Sequence, residues 1–197
     1  ERSRNHRKIY SGEQVPGSKK ILQSATHILL RCNNYRSKHT SRISAKISQP
    51  LGEHLMECTV RWMGNDAGMS FVAETGSGHA VVMDGAPEAG GRNLGLRPME
   101  MVLAGTGGCS AFDVVLILKK GRHAVSGCDV SLKADRANSD PKVFTHIHFH
   151  YRVKGKNLKP DAVARAIELS KDKYCSASIM MAKTAEITHD FEIVEEA

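Results

Sequence analysis

Cysteine is the residue type in this sequence that could carry out chemistry. The five cysteines are odd in number, irregularly spaced and without a CxxC pair: Cys32, Cys58, Cys109, Cys128 and Cys175. Thiols in this pattern are expected to be free in a reducing compartment, which favours a cytoplasmic location. Cys32, Cys58 and Cys128 are interpreted as small buried hydrophobic residues.

Other catalytic signatures are missing from the sequence. The GTGG run at residues 105–108 lacks the spacing of a phosphate-binding loop and lies inside a predicted helix. Neither a Gly-x-Ser-x-Gly elbow nor a His-Glu-x-x-His motif occurs. Serine hydrolase and metallohydrolase activities are therefore not predicted, and the thiols remain.

Cys109 and Cys175 differ from the other cysteines because both lie in predicted helical segments beside small or polar residues. Cysteine chemistry requires a thiolate, which a nearby cation or hydrogen-bond donor stabilises. Asp113 follows Cys109 by four residues on the same helical face, and its negative charge would disfavour that thiolate. A reactive Cys109 therefore needs a cation from elsewhere in the fold, and a packing role is the alternative.

Residues 97–121, which contain Cys109, are expected to form a long helix. A proline opens the segment, and two lysines and a glycine close it, as helix ends favour. Almost everything between is apolar, so the helix must be enclosed by protein or lipid. Asp113 and three glycines argue against a membrane span and predict a buried central helix.

The small residues of this helix predict a close neighbour. They are Ala104, Gly105, Gly107, Gly108 and Ala111. A glycine costs about 1 kcal/mol in a helix interior, so several within two turns indicate that another backbone approaches closely. A partner helix is the simplest candidate, and a second copy of the chain could supply it.

Short alternating runs on both sides of the helix predict an α+β domain. Three strands form a meander before the helix, in ECTVRWMG, MSFVAETG and HAVVMDG. Two strands, a helical region broken near Lys173 and a last strand follow it, over residues 124–137, 142–154, 160–183 and 186–194. The sheets are expected to be largely antiparallel.

The second strand after the helix carries three histidines on one face, opposite an apolar face. His146, His148 and His150 would lie roughly 7 Å from their neighbours along the strand. An acidic or cysteine ligand is not adjacent in the sequence, so an exposed polar face is preferred and no metal is predicted.

Residues 1–55 differ in composition from the rest of the chain. They carry 11 Lys and Arg against 3 Asp and Glu, a net charge of +8, whereas residues 56–197 carry 17 against 18. The segment is expected to be disordered or a non-native extension. It could be translated sequence upstream of Met56, a targeting peptide, or a basic arm for an anionic partner such as nucleic acid. Residues 56–197 form the predicted domain, without an expected nucleic-acid or membrane partner.

Two stretches resemble the OsmC and organic-hydroperoxide-resistance superfamily, most closely its YhfA-like branch. They are RPMEMVLAGTGGC, which ends at Cys109, and KYCSAS, which contains Cys175. The resemblance covers roughly residues 56–197, including the order of the segments. It implies an intertwined homodimer whose sheets wrap around long central helices.

The resemblance also implies a reaction without a cofactor. In the peroxidase members, one cysteine attacks an organic or hydrogen peroxide, becomes a sulfenic acid and is resolved by the second cysteine as a disulfide. A dithiol, such as a lipoylated protein, then reduces the disulfide. By position, Cys109 matches the attacking cysteine and Cys175 the resolving one. The alternative is a non-catalytic stress-response protein, or one that binds small hydrophobic ligands, in which the cysteines pack the fold or act as a thiol sensor.

Two positions depart from the peroxidase members. Those proteins carry a glutamate directly after the helix proline, where this sequence has Met99, followed by Glu100 at about 100° of rotation. They also carry an arginine in the first hairpin loop, which residues 64–68 lack. Glu100 is the candidate for a supporting role, and the candidate arginines are Arg61, Arg92 and Arg97.

Overall fold

The computed structural model describes residues 56–196 of the chain. The predictions made for residues 1–55 lie outside the described residues. The chain divides between Leu96 and Arg97 into two compact units.

The N-terminal unit is a three-stranded antiparallel sheet in the order β1-β2-β3, which confirms the predicted meander. Its strands are β1 (Cys58–Trp62), β2 (Phe71–Thr75) and β3 (Ala80–Met83). Gly64 and Gly68 flank the turn between β1 and β2 with φ values of 89° and 63°. These values lie in the left-handed region that glycine adopts at little cost, so the turn depends on both glycines.

A buried carboxylate organises the Gly/Pro-rich loop that follows β3. Asp84 is fully buried, and its oxygens accept backbone N–H bonds from Gly85, Arg92 and Leu94 at 2.8–3.0 Å. Burial alone would raise the pKa of Asp84, but these bonds outweigh burial and hold the pKa below its usual value. The sequence did not indicate this role, because Arg92 and Leu94 lie eight and ten residues further along the loop.

The C-terminal unit contains three helices and a second three-stranded sheet in the order β4-β5-β6. Its elements are α1 (Pro98–Lys120), β4 (Ala124–Arg136), β5 (Phe144–Lys156), α2 (Pro160–Leu169), α3 (Ser176–Met181) and β6 (Glu186–Glu195). Strands β4 and β5 are antiparallel, whereas β5 and β6 are parallel. The expectation of antiparallel sheets is therefore wrong for β6. The reason is that the helical region returns the chain from the end of β5 to the end of the sheet where β5 begins. Strand β6 therefore starts beside the start of β5 and runs parallel to it.

The core of this unit lies between the second sheet and the helices. The apolar face predicted for β5 is confirmed, since its residues are at most 2% exposed: Ile147, Phe149, Tyr151 and Val153. Val114 and Leu118 of α1 and Val163 and Ile167 of α2 also belong to the core. Burial of this apolar surface is the main force that holds α1 on the sheet.

Helix α1 has the predicted bounds to within one residue at each end, and among residues 56–196 its buried positions lie on one face. The buried residues are Thr106, Gly107, Ser110, Val114 and Leu118. Phe112 is 67% exposed on another face. By length and apolar composition alone α1 would also fit a membrane span, and in this structure one face of it packs on the second sheet.

The glycines of α1 have different surroundings. A Cβ atom on Gly107 would lie 2.5 Å from Cδ1 of Leu132 on β4. The close neighbour expected for the glycines is therefore a strand side chain at this position rather than a helix. Gly105 and Gly108 have open space on the Cβ side within the described part of the chain.

Candidate thiol site

The fold brings Cys109 and Cys175 together. Their sulfur atoms and a carboxylate oxygen of Asp113 all lie within 4.8 Å of one another. Both cysteines are free thiols. Since a disulfide bond is about 2 Å long, the sulfur atoms need to approach by at most about 3 Å, a distance that side-chain rotation and small backbone shifts supply. We call Cys109, Asp113 and Cys175 the thiol cluster.

Cys175 enters the cluster because the chain leaves its helix just before it. A π-helical turn, Ser170–Tyr174, follows α2 and ends with the Cys175 N–H donating to the Ser170 carbonyl at 2.8 Å. The predicted break near Lys173 is thus confirmed. Cys175 itself is extended, with φ −74° and ψ 96°, and is the N-cap of α3, so the expectation that it lies within a helix is wrong.

Two hydrogen bonds reach the Cys175 sulfur atom. The backbone N–H and the hydroxyl of Ser178 donate to Sγ at 3.4 and 3.1 Å. Burial raises the pKa of the Cys175 thiol, the Ser178 bonds oppose that shift, and neighbouring Cys109 adds to it. The net direction is upward, so the environment favours the protonated thiol at Cys175. The sequence did not single out Ser178.

Asp113 is the acidic member of the cluster. Burial raises the pKa of its carboxyl group, which the Ser170 hydroxyl partly offsets. Its Oδ2 atom is buried and lacks a hydrogen-bond partner among residues 56–196. Leaving a buried polar atom unpaired costs about 1–3 kcal/mol, so this oxygen requires a proton, a water molecule or a cation. The sequence signal for the proximity of Asp113 to Cys109 was their four-residue spacing on the helix.

A buried hydroxyl network holds α1 against the rest of the unit. The Ser110 hydroxyl lies 2.6 Å from the Tyr151 hydroxyl and 2.9 Å from that of Ser170. Burial raises the pKa of Tyr151 to about 12, so its hydroxyl stays protonated and neutral. Because Ser110 follows Cys109 directly, the network fixes the rotation of α1 and thereby the direction of the Cys109 side chain.

The remaining cysteines have different environments. Cys128 is partly buried against the core, and burial raises its pKa to about 11, as expected for a packing residue. Cys58 is exposed on β1, so the interpretation of it as a buried residue is wrong. It occupies the first position of an edge strand. Cys32 lies outside the described residues.

Glu100 lies at the start of α1 rather than beside the sulfur atoms of this chain. Its carboxylate accepts the Arg97 backbone N–H at 3.0 Å and lies 3.8 Å from the Arg97 guanidinium. It lies nine positions before Cys109 on the helix, about 13.5 Å along the axis. In the N-terminal sheet, Arg61 forms an ion pair with Glu74. The supporting roles of Glu100 and of the candidate arginines stay predictions.

The histidine face of β5 is paired with side chains of β6. Asp190 lies 2.5 Å from Nδ1 of His150 and 3.6 Å from Nε2 of His148. Thr188 lies within hydrogen-bond distance of both His146 and His148. The strand pairing therefore supplies the polar partners that were not adjacent in sequence, and these contacts account for the face as a polar surface.

A small cleft adjoins the cluster through Ser178. Its lining is largely apolar: Phe149, Tyr151, Ile167, Lys171, Ser178, Ile187 and His189. The cleft leaves no room for a water molecule within this chain. The alternative function, the binding of a small hydrophobic ligand, stays a prediction.

Comparison with known proteins relates this arrangement to one family. Residues 90–190 match the family model described as OsmC-like protein. Protein YhfA of Escherichia coli K12 is 47% identical over 142 residues, 71% of this chain and 98% of YhfA. A solved structure described as structural genomics is 44% identical over 71% of this chain and 99% of its own length, with a TM-score of 0.63. A Legionella pneumophila structure described as an organic hydroperoxide resistance protein OsmC is 10% identical over 72% of this chain and 99% of its own, with a TM-score of 0.55, and shares the fold.

Proposed function

The chain belongs to the OsmC-like protein family, in its YhfA-like branch, and we propose that it is a two-cysteine thiol peroxidase for organic or hydrogen peroxides. The observation that carries the proposal is the approach of the Cys109 and Cys175 sulfur atoms to within 4.8 Å. The name of the Legionella structure, an organic hydroperoxide resistance protein, supports the substrate class.

Exposure supports the assignment of roles to the two cysteines. Cys109 is partly exposed, whereas Cys175 is completely buried. A peroxide has to reach the sulfur that attacks it, so Cys109 is the attacking residue. Cys175 meets only a sulfur atom already inside the protein, which suits the resolving residue.

The reaction proceeds in two steps that balance. The Cys109 sulfur bonds to one peroxide oxygen, the O–O bond breaks, and an alcohol or water leaves after protonation, which gives a sulfenic acid. The Cys175 sulfur then attacks the Cys109 sulfur, the disulfide forms and water leaves. A dithiol returns two electrons and two protons to restore both thiols.

The open face of α1 supports a homodimer. Three large apolar side chains of this helix are exposed: Phe112 by 67%, Val102 by 39% and Leu116 by 37%. Gly105 and Gly108 leave space beside it in the described residues. Apolar surface of this kind is usually covered by another protein surface, and the same helix of a second copy is the proposed partner. A reducing cytoplasm is the proposed location, since it would keep the thiols reduced.

The test uses the full reduced chain and one equivalent of cumene hydroperoxide. Mass spectrometry of peptides should find a Cys109–Cys175 disulfide, and Cys175→Ser should instead leave a sulfenic acid at Cys109 that dimedone traps. Cys128→Ser is the matched control and should behave as wild type. If stoichiometric peroxide consumes no thiol at Cys109, the peroxidase proposal is wrong.

A further inference from the structure

The thiol cluster has the composition and spacing of a metal-binding site. Its three potential ligand atoms, two sulfur atoms and one carboxylate oxygen, lie within 4.8 Å of one another. We propose that the reduced cluster of Cys109, Asp113 and Cys175 binds a thiophilic divalent cation, with Zn²⁺ as the probe. This inference goes beyond peroxide reduction and does not require it.

The distances fit a tetrahedral ion after a small contraction. Zinc binds cysteine sulfur at about 2.3 Å and carboxylate oxygen at about 2.0–2.2 Å. Two such ligands of a tetrahedral ion lie roughly 3.6–3.8 Å apart. Each pair in the cluster therefore closes by at most about 1.2 Å, which side-chain torsions supply without moving the helix.

The placement of the ligands along the chain supports the site. Cys109 and Asp113 are four residues apart on α1, so both project from one face of a helix. Two metal ligands at this spacing, joined by a third from a distant segment, form the pattern of zinc helices with the His-Glu-x-x-His motif. Cys175, held by the turn before α3, provides the third ligand.

Asp113 provides an independent observation. Its buried Oδ2 atom is unpaired within residues 56–196. Buried polar atoms in proteins nearly always have a partner, and a missing ion is one explanation of an exception. A cation between Asp113 and the two sulfur atoms would give the Asp113 carboxylate a partner and neutralise the negative charge of the ligands.

The ligand types select the class of cation. Thiolates favour zinc and similar soft ions, whereas Mg²⁺ and Ca²⁺ favour oxygen ligands. Three protein ligands leave one tetrahedral position, and the partial exposure of Cys109 allows a water molecule to reach it. Binding releases the protons of the thiols, so an alkylating reagent and the cation compete for the same sulfur atoms.

Zinc titration of the full, reduced, metal-free chain against a chromogenic chelator tests the proposal. One Zn²⁺ per chain should bind, and Asp113→Asn and Cys109→Ser should each weaken binding at least about tenfold, in line with the loss of a ligand. Cys128→Ser and Asp66→Asn are matched controls that should bind as wild type. Circular dichroism verifies that each variant is folded.

Alkylation locates the bound ion. Zinc should slow the reaction of iodoacetamide with Cys109 and Cys175 but not with exposed Cys58, as peptide mass spectrometry reports. Binding of less than about one tenth of an equivalent, or binding that both Asp113→Asn and Cys109→Ser leave unchanged, would overturn the site. If the chain binds zinc but its thiols do not react with peroxide, only the peroxidase proposal is refuted. If the thiols react with peroxide but the chain does not bind zinc, only the metal site is refuted.

Discussion

The Tyr151 hydroxyl lies 2.6 Å from the Ser110 hydroxyl, and both residues are at most 2% exposed. This contact joins β5 to α1 at the residue that follows Cys109. It therefore connects the core of the C-terminal unit to the geometry of the thiol cluster.

Removal of the tyrosine hydroxyl should destabilise the unit modestly. Tyr151→Phe keeps the ring in the core but deletes the partner of Ser110, which retains Ser170. A neutral hydrogen bond contributes about 1 kcal/mol, so the free energy of unfolding in urea should fall by about that amount. Tyr174→Phe, at a half-exposed ring, is the control and should leave it unchanged. Equal losses in both variants would contradict a role for the network.

The Ser178 hydroxyl should set the reactivity of Cys175. Its bond to Sγ favours the thiolate and partly offsets burial, so Ser178→Ala should raise the pKa of Cys175 further. The pH at which Cys175 alkylation reaches half its maximal rate should move upward in that variant. Ser176→Ala is the control, because Ser176 is exposed and lies two residues before Ser178. A downward shift would contradict the assigned direction.

Asp84 should make the stability of the N-terminal unit depend on pH. Because its folded pKa is lowered, its contribution is present above the unfolded value of about 3.9 and is lost as the pH falls through the folded pKa. Asp84→Asn should therefore cost roughly 1–3 kcal/mol at pH 7, and the difference from wild type should shrink on acidification.

The single tryptophan makes this measurement local. Trp62 lies on β1, so its fluorescence during urea unfolding reports on the N-terminal unit. Asp66→Asn, an exposed carboxylate in the same unit, should show neither the loss nor its pH dependence. A loss in Asp84→Asn that is constant between pH 7 and pH 3 would contradict the carboxylate's role.

The proposed dimer depends on the exposed face of α1. Phe112→Asp would place a charge in that interface, where an unpaired buried charge is costly. Sedimentation velocity should show a dimer for wild type and a monomer for the variant. Val143→Asp is the control, because Val143 is a partly exposed residue just before β5, and this variant should remain dimeric. A monomeric wild type would refute the dimer.

Local sequence signals determined the individual elements of this protein. Helix α1 was predicted from its end signals, and β5 from the alternation of apolar and histidine residues, because capping and side-chain period act over a few residues. The motifs around Cys109 and Cys175 likewise identified the family, as the comparisons confirm.

Only the tertiary structure decided how these elements meet. The parallel pairing of β6 with β5 depends on the path of the intervening helices. The bonds from Ser178 to Cys175 depend on the turn before α3, which places the Cys175 sulfur beside them. The resemblance implied that the two cysteines react together, but their surroundings arise from contacts between segments far apart in the chain. Sequence period and spacing describe neighbours along one element, and they carry no information about which side chains a second element brings against it.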